Sequence, residues 1–594
     1  EILTGLTDRG LSAPLLINFV DLLDRRIADM YDAFESAISE YAYRGEYRAV
    51  YPIKVNQQRH LVEQVKACGK RFGYGLEVGS KPELLAVLGM TPGEPERLII
   101  CNGFKEGRYI RHVMLATKLG RKIIPVIENI SELKLIIDEA EAFGVRPRIG
   151  VRINLSQKGV GRWHSSSGDK AKFGLSLPAV LEVVEQLGKH DMLDCLQLVH
   201  CHIGSQTHDI QVINAAVNEL ARIYAELIGL GAGLRYLDIG GGLGIDYDGS
   251  QTNTNYSINY SLSEYAGTVV YRVMSVCDEA GVDHPTIVTE SGRAMVSHQG
   301  VLVFNVLGAN RIDRFKIDDD FHQSTKHDRE EWPRPLHDLY DAYQRINEDH
   351  LLEAYHDAMQ AREEALMLFS LGHLGIKHRA IVDRLFWSVC LRMHEIALQL
   401  EEIPDELADL STNLSDTYFC NLSIFQSLPD NWAIDQVFPI MPIHRLDEEP
   451  TRRATLADLT CDSDGKITMF INRRDDYSPT LPVHALQPGQ DYFLGAFLVG
   501  AYQETLGDLH NLFGDTHVVH IRIDAEGNWM IDHVVEGDTV REVLNYVQYD
   551  VKALSDSVRR DCESSVRAGK MTAAESRTML EAYEHGLSGD TYLE

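Results

Sequence analysis

The sequence predicts an α/β region followed by an all-β region: a (β/α)8 TIM-type barrel with a C-terminal antiparallel β-domain, a helical insertion and a helical C-terminal tail. Short apolar, β-branched runs alternate with helical-period stretches as far as residue 290. Similar runs return after residue 418 without helix-length spacers between them. Apolar residues at helical spacing occupy the segment between these two regions, and the C-terminal segment is helical and charged.

Eight runs, each of strand length, predict the barrel. Between most of them lie segments such as 57–68, 109–119 and 131–143, where apolar residues recur with helical period. Repeated strand–helix units of this size favour a closed barrel, and an open doubly wound sheet is the alternative. The runs cover residues 50–55, 72–78, 97–102, 122–128, 148–154, 196–203, 236–239 and 286–290.

Four domains follow from these patterns. The barrel with its N-terminal helices is predicted for 1–298, and the helical insertion for 309–410. The β-domain combines 299–308 with 411–538, and the helical extension covers 539–594. Within the β-domain the expected strands lie at 418–425, 466–471, 492–499, 517–523 and 529–535.

The composition restricts the possible partners. The 594 residues carry a net charge of −31, which repels phosphate backbones and anionic lipid, so we expect neither nucleic acid nor membrane as a partner. No apolar run reaches the length of a membrane-spanning helix, and no secretory leader is visible. Nine cysteines, an odd number without a Cys-x-x-Cys pair, are typical of a reducing compartment. We therefore expect a cytoplasmic protein.

Polar residues stand at the ends of several predicted strands, where a barrel of this type has its active site. Lys54 is a lysine within an apolar strand. At a barrel mouth it would lose hydration, its pKa would fall, and its amine could form a Schiff base. The alternative is a lysine at a strand edge that extends into solvent.

Two further strand ends carry groups that suit a flat, phosphorylated ligand. His200 and His202 lie on one face of their strand, so an imidazole could stack on a ring while Ser205 donates to an anion. Gly240, Gly241 and Gly242 follow the next strand, where backbone N–H groups can approach a phosphate closely. The structural alternatives are core histidines with satisfied hydrogen bonds and a tight turn.

The last strand end contains Glu290 and Arg293, which could face a ring nitrogen and a phosphate or form a structural ion pair. Taken together, the four clusters offer a Schiff-base lysine, a stacking imidazole, a phosphate-binding turn and a carboxylate for a pyridine nitrogen. Pyridoxal 5′-phosphate requires this combination, because its protonated ring accepts electrons from the bond that breaks. A phosphate-binding barrel with a Schiff-base lysine but no pyridoxal is the rival interpretation.

The sequence resembles the fold-type III pyridoxal-phosphate decarboxylases, and among them the bacterial biosynthetic arginine decarboxylases. The resemblance covers nearly the whole chain, including the helical insertion and tail. It rests on the motifs YPIKVNQQ (51–58), GLEVGSKPELL (75–85), DIGGGLGIDYDG (238–249), ESGRAM (290–295), YFCNLSIFQSLPD (418–430) and CDSDGKI (461–467).

The resemblance implies a role for each matching residue. Lys54 would hold the cofactor, His202 would stack on its ring, Glu290 would pair with the ring nitrogen and Cys461 would donate a proton. Glu77 would support the lysine and Arg152 would lie near the phenolic oxygen. The phosphate would be held by Ser205, Gly240, Gly241, Gly242, Arg293 and Tyr502, and Gly292 would also lie at the cofactor. The substrate's cationic end would meet Asp462 and Asp464, and Asp416 is a further carboxylate that suits a guanidinium.

The same resemblance implies decarboxylation of L-arginine to agmatine in polyamine synthesis, with ornithine, lysine or diaminopimelate as alternative substrates. It implies a homodimer whose active sites are shared across the interface, and dependence on Mg²⁺, for which the sequence identifies no ligands. Apolar faces on the insertion and tail predict a tetramer. A non-catalytic relative is disfavoured because Lys54, Glu290 and Cys461 are all present.

Overall fold

The computed structural model describes residues 1–156, 172–400, 404–407, 409–473 and 476–593. The chain begins with helix α1 (Ile2–Thr7), strand β1 (Leu15–Phe19) and the long helix α2 (Val20–Glu40). One face of α2 is apolar and packs on the barrel through residues that include Leu23, Ile27 and Phe34.

Eight parallel strands close into a barrel within the described residues, which confirms the predicted fold and excludes the open sheet. Each strand overlaps one predicted run. Their sequences are nearly all apolar because helices cover the outside of the barrel and side chains fill its interior. The strands are β2 (Tyr47–Pro52), β3 (Gly75–Val78), β4 (Ile99–Cys101), β5 (Ile123–Ile127), β6 (Ile149–Arg152), β7 (Leu196–His200), β8 (Tyr236–Asp238) and β9 (Thr286–Thr289).

Local sequence signals fix the ends of several barrel helices. The Ser80 side chain accepts from the backbone N–H of Glu83, and Ser261 with Glu264 forms a reciprocal capping box. Gly144 and Gly281 end their helices at positive φ. The helices are α3 (Arg59–Gly69), α4 (Lys81–Met90), α5 (Gly107–Lys118), α6 (Ser131–Phe143), α7 (Leu177–Lys189), α8 (Ile210–Gly229), α9 (Leu262–Ala280) and α10 (Gly292–Val296).

A long strand, β10 (Gly300–Asn310), leads from the barrel to the helical insertion. The insertion has a hydrophobic core of its own, formed by residues such as Leu336, Leu339, Val382 and Leu385. It therefore packs as a separate bundle, as its helical spacing predicts. Its helices are α11 (Asp319–Ser324), α12 (Arg334–Arg345), α13 (Leu351–Ser370), α14 (Ile376–Ala397) and α15 (Leu410–Asn413).

The β-domain differs from the predicted antiparallel sheet because it is mixed. Strand β1 runs antiparallel to β10 and parallel to a late strand, β19, and β11 pairs in parallel with β13. Its elements are β11 (Asp416–Cys420), α16 (Ile424–Ser427), α17 (Pro429–Ile434), β12 (Ile440–Pro442), β13 (Arg452–Ala457), β14 (Lys466–Ile467), β15 (Phe470–Arg473), β16 (Asp476–Ser478), β17 (Leu481–Val483), β18 (Phe493–Phe497), β19 (His517–Ile523) and β20 (Trp529–Val535).

The position of β1 also corrects the predicted domain boundary, since residues 15–19 belong to the β-domain sheet and not to the barrel. The chain closes with α18 (Val540–Tyr546), α19 (Val551–Arg567) and α20 (Ala573–Ser588), which form the predicted helical tail. Among the helices of the described residues, none combines the length and apolar character that crossing a membrane requires.

Candidate active site

Lys54 lies in a single 3₁₀ turn directly after β2, and its side chain is 44% exposed at the barrel mouth. Its Nζ is 3.5 Å from Oε2 of Glu77, which is fully buried in β3. The negative charge of Glu77 raises the pKa of Lys54 and outweighs the opposing effect of burial. The structure does not show the expected fall of this pKa, and the charge of Glu77 is the reason.

Glu290 follows β9 and is almost completely buried. Its Oε1 accepts a hydrogen bond of 2.6 Å from the side-chain amide of Asn102, at the end of β4. Burial and the nearby charge of Glu77 raise the pKa of Glu290 to about 7, and His200 opposes this rise. A positively charged group above Glu290 would stabilise its ionised form.

Behind Glu290 lies a buried pair formed by His200 and Asp238. Nδ1 of His200 is 3.0 Å from Oδ2 of Asp238 and 3.9 Å from Oε1 of Glu290. Burial lowers the pKa of His200, but the combined effect of Asp238 and Glu290 is larger and raises it, so the net change is upward. His200 is therefore an electrostatic partner of two carboxylates, in contrast to its neighbour His202.

His202 lies beside the glycine turn after β8. Its Nδ1 accepts a hydrogen bond of 3.3 Å from the N–H of Gly241, which places the ring proton on Nε2. Burial, with Arg152 and Lys54 nearby, holds the pKa of His202 well below its ordinary value. The imidazole is therefore neutral, as stacking on a flat ring allows.

The turn requires glycine for reasons of space as well as conformation. Gly240 and Gly242 have φ of +67° and +115°, and a Cβ on Gly240 would lie 2.3 Å from the carbonyl oxygen of Cys201. A Cβ on Gly241 would meet the His202 ring at 3.0 Å. The backbone of the turn thus approaches the imidazole as closely as atoms permit.

Arg293 brings together the residues that were predicted to bind phosphate. Its Nε donates to Oγ of Ser205 at 3.0 Å, and its Nη1 donates to the hydroxyl of Tyr247 at 2.9 Å. Its guanidinium carbon lies 4.8 Å from the centre of the Tyr502 ring. Gly292, the preceding residue, has no room for a side chain because a Cβ would lie 2.6 Å from Pro52.

Arg152 ends β6, and its Nη1 donates to Oε1 of the buried Glu128 at 2.9 Å. Its guanidinium carbon also lies 5.8 Å from the centre of the Phe173 ring. The two contacts hold the arginine at the carboxyl end of its strand, on the same side of the barrel as Lys54 and Glu290.

The segment 461–464 contacts residues of the β-domain and not those of the barrel mouth. The backbone N–H of Cys461 donates to Oδ1 of Asn511 at 2.9 Å, and Oδ2 of Asp462 is 3.5 Å from His510. The N–H of Asp464 donates to Asp462, and all three of these predicted site residues are exposed. Within the described residues, no hydrogen bond or ion pair joins this segment to Lys54 or Glu290.

Asp416 differs from its predicted role as a substrate ligand. It is buried in β11, and both its carboxylate oxygens accept from Arg452, at 2.7 and 2.8 Å. Arg452 also donates to Asp313. The carboxylate already pairs bidentately with a guanidinium of the protein itself, so it is not free to bind one from a substrate.

Several buried polar atoms at the barrel mouth have no hydrogen-bond partner among the described residues. They are both carboxylate oxygens of Glu77, Oδ1 of Asn102, Oε2 of Glu128 and Oγ of Ser291. Buried polar groups normally have partners, so these unpaired atoms, all on residues at or just after the ends of barrel strands, fit a polar ligand. The donors and acceptors present match pyridoxal phosphate in kind.

The sequence interpretation gave no role to Asn102, Asp238, Glu128 or Tyr247, which hold Glu290, His200, Arg152 and Arg293. Asn102, Asp238 and Glu128 stand at or directly after the ends of barrel strands. Their position at those ends was a signal available from the sequence. Tyr247 lies in a long loop, and nothing in the sequence connects it with Arg293.

The closed barrel and its mouth residues define a pyridoxal-phosphate site of the barrel class. Models of known families agree: residues 26–297 match the pyridoxal-binding domain of pyridoxal-dependent decarboxylases. Residues 329–411 match the arginine decarboxylase helical bundle domain, and 540–593 match the arginine decarboxylase C-terminal helical extension. The chain belongs to the biosynthetic arginine decarboxylase family, as its relatives make plain.

A relative named biosynthetic arginine decarboxylase from Gloeobacter violaceus is 51% identical over all of this chain and 91% of its own length. One from Thermosynechococcus vestitus is 49% identical with the same coverage. The crystal structure of the Campylobacter jejuni enzyme of that name matches with a TM-score of 0.86 and 33% identity, over 100% of this chain and 94% of the other. Diaminopimelate decarboxylase from Helicobacter pylori shares only the fold, at 17% identity, with a TM-score of 0.59 and coverage of 92% and 99%.

Proposed function

We propose that this protein decarboxylates L-arginine, with consumption of one proton and release of CO2 and agmatine, as the first step of a route to putrescine and spermidine. The reaction replaces the Cα–carboxylate bond with a Cα–H bond. The observation that carries the proposal is the convergence of Lys54, His202 and Glu290 at one barrel mouth, in a chain that also has the helical parts of arginine decarboxylases.

The residues at the mouth are assigned by the chemistry that each can offer. Lys54 binds the cofactor through its amine, and Glu77 holds that amine in place. His202 stacks on the ring as a neutral imidazole. Ser205, Gly240, Gly241, Gly242, Gly292, Arg293 and Tyr502 would hold the phosphate, and Arg152 would serve the phenolic oxygen.

When bound, pyridoxal phosphate supplies a protonated ring that accepts the electron pair of the breaking Cα–carboxylate bond. Glu290 keeps the proton on the ring nitrogen, since a carboxylate opposite that nitrogen favours its charged form. Asn102 orients Glu290 through the 2.6 Å hydrogen bond, and Nδ1 of His200 lies 3.9 Å from Oε1 of Glu290.

Cys461 is assigned as the donor of the proton to Cα, because a thiol can act as a general acid. Asp462 and Asp464 bind the guanidinium, whose planar donors suit carboxylates. In this chain all three are exposed and contact the β-domain. We therefore propose that they complete the active site of a second copy, in a homodimer whose sites are shared, and that two dimers form a tetramer.

The remaining parts of the proposal concern metal and location. Magnesium is included from the family resemblance. Among the described residues, the one group of three whose ligand atoms lie within 4.8 Å of one another is His200, Asp238 and Glu290. Glu290 serves the ring nitrogen there, so we do not assign the ion to that group. Nine free cysteines are in keeping with a cytoplasmic protein, and the charge of −31 disfavours nucleic acid as a partner.

A product assay tests the proposal directly. Purified protein with pyridoxal phosphate and magnesium is offered arginine, ornithine, lysine and diaminopimelate separately, and each amine formed is identified by its mass. We expect agmatine from arginine and no amine from the other three. Formation of a different amine would keep the cofactor site and overturn the substrate, whereas no amine at all would contradict the proposed reaction.

A further inference from the structure

A loop at residues 509–514, just before strand β19, packs on the exposed turn that contains Cys461 and Asp462. Oδ1 of Asn511 accepts the backbone N–H of Cys461 at 2.9 Å, and Nε2 of His510 lies 3.5 Å from Oδ2 of Asp462. That nitrogen is buried and has no hydrogen-bond partner among the described residues. Two side chains of the loop therefore contact the residues to which the proposed function assigns the proton and the guanidinium.

The backbone of this loop adopts a conformation that its sequence does not favour. Asn511 and Leu512 have φ of +55° and +62°, so two successive residues other than glycine lie in the left-handed region. Asparagine tolerates this region, whereas leucine rarely adopts it. Inside the loop, the N–H of Leu512 donates to the carbonyl oxygen of Leu509 at 2.8 Å. Strained backbone of this kind persists where surrounding contacts enforce it, and it is concentrated at functional sites.

The contacts that surround the loop come from the helical extension. The hydroxyl of Tyr592 donates to the carbonyl oxygen of Gly514 at 2.8 Å, and the N–H of Gly514 donates to Oγ1 of Thr591 at 3.0 Å. The rings of Tyr592 and Phe513 stack with their centres 5.3 Å apart. Gly514 has no room for a side chain, because a Cβ there would lie 2.7 Å from Cγ2 of Val543 in α18. The extension therefore holds both polar groups of one backbone unit of the loop.

The segment after α20 is itself fixed to the β-domain. Tyr592 is only 5% exposed, and the N–H of Leu593 donates to Oδ1 of Asn421 at 3.2 Å. The side-chain amide of Asn421 donates in return to the carbonyl oxygen of Leu593 at 2.7 Å. Asn421 directly follows β11 and is fully buried. A continuous series of contacts thus connects the β-domain, the extension, the loop and the turn.

We propose that His510 and Asn511 are positioning residues for the turn at Cys461 and Asp462, and that the helical extension holds them in place through Tyr592. The inference rests on the proposed function, in which the thiol and the carboxylate of this turn take part. Asn511 fixes the backbone at Cys461. A hydrogen bond from the imidazole of His510 would favour the ionised form of Asp462, which is the form that pairs with a guanidinium.

Hydrogen–deuterium exchange followed by mass spectrometry tests the connection without substrate, so its result does not depend on whether arginine is decarboxylated. The protein is incubated with pyridoxal phosphate, and the variant Tyr592→Phe loses the hydroxyl that pairs with Gly514 but keeps the ring. We expect the amides at 509–514 and at 461–464 to exchange about threefold faster or more, while those of β2 stay unchanged. Tyr583→Phe, on α20 of the same extension, is the matched control and should change neither segment.

Three outcomes of this measurement would overturn the connection. Faster exchange at 509–514 alone would show that the extension holds the loop but not the turn. Unchanged exchange at both segments would show that the Tyr592 hydroxyl holds neither. Faster exchange in every region, β2 included, would show that Tyr592 stabilises the whole chain and has no specific effect on the turn.

Variants of the loop separate positioning from a purely structural role. Asn511→Gly keeps the left-handed backbone and removes only the acceptor for the N–H of Cys461, so kcat for agmatine formation should fall about tenfold with KM nearly unchanged. His510→Gln acts on Asp462, so KM for arginine should rise about tenfold with kcat nearly unchanged. Asn511→Asp, which keeps an acceptor oxygen at this position, should retain the slow amide exchange at Cys461 that Asn511→Gly loses.

The split between kcat and KM distinguishes the two positioning residues from residues that only stabilise the fold. A fall in kcat together with an equal rise in KM in both variants would indicate a general loss of structure and overturn the assignment, as would wild-type kinetics in both. If the wild-type protein forms no amine, the proposed function fails, and the exchange measurements still decide whether the loop holds the turn.

Discussion

The barrel mouth and the segment 461–464 carry the two halves of one proposed reaction, yet they differ in almost every physical respect. At the mouth, Glu77 and Glu290 are buried, and neighbouring barrel strands hold the cluster together. Cys461, Asp462 and Asp464 are exposed on a β-domain turn. The cofactor half is thus assembled within one chain, while the substrate half points outward.

This difference means that different interactions hold the two halves in position. A buried, charged cluster is fixed by the barrel itself, because any displacement leaves charges without partners. An exposed turn has no such restraint and gains a fixed position only when another surface packs on it. The comparison therefore predicts that a change in either half abolishes activity on its own, and that a copy changed at the mouth and a copy changed in the turn complement each other.

Replacement of Lys54 gives the largest expected effect. In Lys54→Ala the amine that binds the cofactor is lost, so agmatine formation should fall by about a thousandfold or more. The absorbance of the protein-bound cofactor should change as well. Lys118→Ala, at the exposed end of α5, is the control and should keep full activity. Wild-type rates of agmatine formation by Lys54→Ala would refute the assignment.

Mixing two inactive variants tests whether the sites are shared. Lys54→Ala and Cys461→Ser should each be inactive alone. If every site combines Lys54 of one chain with Cys461 of another, random reassociation gives mixed dimers with one intact site, and about a quarter of wild-type activity returns. The measurement is agmatine formation after mild dissociation and mixing. Mixtures that stay inactive while mixed dimers form would show that each chain builds its site alone.

Asp416 and Asp464 were both predicted to bind substrate, but replacing Asp416 should affect stability whereas replacing Asp464 should affect substrate binding. Asp416→Asn leaves Asp313 as the remaining carboxylate partner of Arg452. The free energy of unfolding should therefore fall by about 2–3 kcal/mol, with little change in KM for arginine. Asp464→Asn should raise KM for arginine about tenfold and leave stability unchanged. Denaturant unfolding and steady-state kinetics separate the two results, and a raised KM without loss of stability in Asp416→Asn would restore its substrate role.

The smallest expected effect concerns the pH dependence of stability in the cofactor-free protein. Because the pKa of Glu290 is raised to about 7, the folded state keeps a proton that the unfolded state has already lost between about pH 4.5 and 7. This residue therefore contributes less to stability as pH rises through that range. Glu290→Gln should gain Tm relative to wild type at pH 8 compared with pH 5, and Glu330→Gln, at an exposed carboxylate of the insertion, should not. An equal difference at both pH values would contradict the raised pKa.

Much of the fold was predictable because the signals are local. Each barrel strand overlaps an apolar run, and residues at strand ends meet at one mouth because parallel strands share a direction. The sequence analysis did not identify β1 as a strand of the β-domain, because its partners, at Val303 and His517, are remote in sequence. The predicted direction of the Lys54 pKa shift was wrong for a related reason. Glu77 lies on another strand, and the effect of its negative charge on the pKa is larger than the effect of burial. The substrate-binding role predicted for Asp416 did not take account of its pairing with Arg452, which no sequence pattern indicates.

The central place of β1 has a consequence for biosynthesis. This strand emerges from the ribosome before the barrel strands, yet its parallel neighbour β19 is made only after the barrel and the helical insertion. The apolar edge of β1 must stay unpaired on that side while the barrel and the insertion are synthesised, and such edges are prone to misassociation. We expect the barrel to fold early and the β-domain to close last, so that truncated chains lacking residues 517–523 would aggregate even though their barrel sequence is complete.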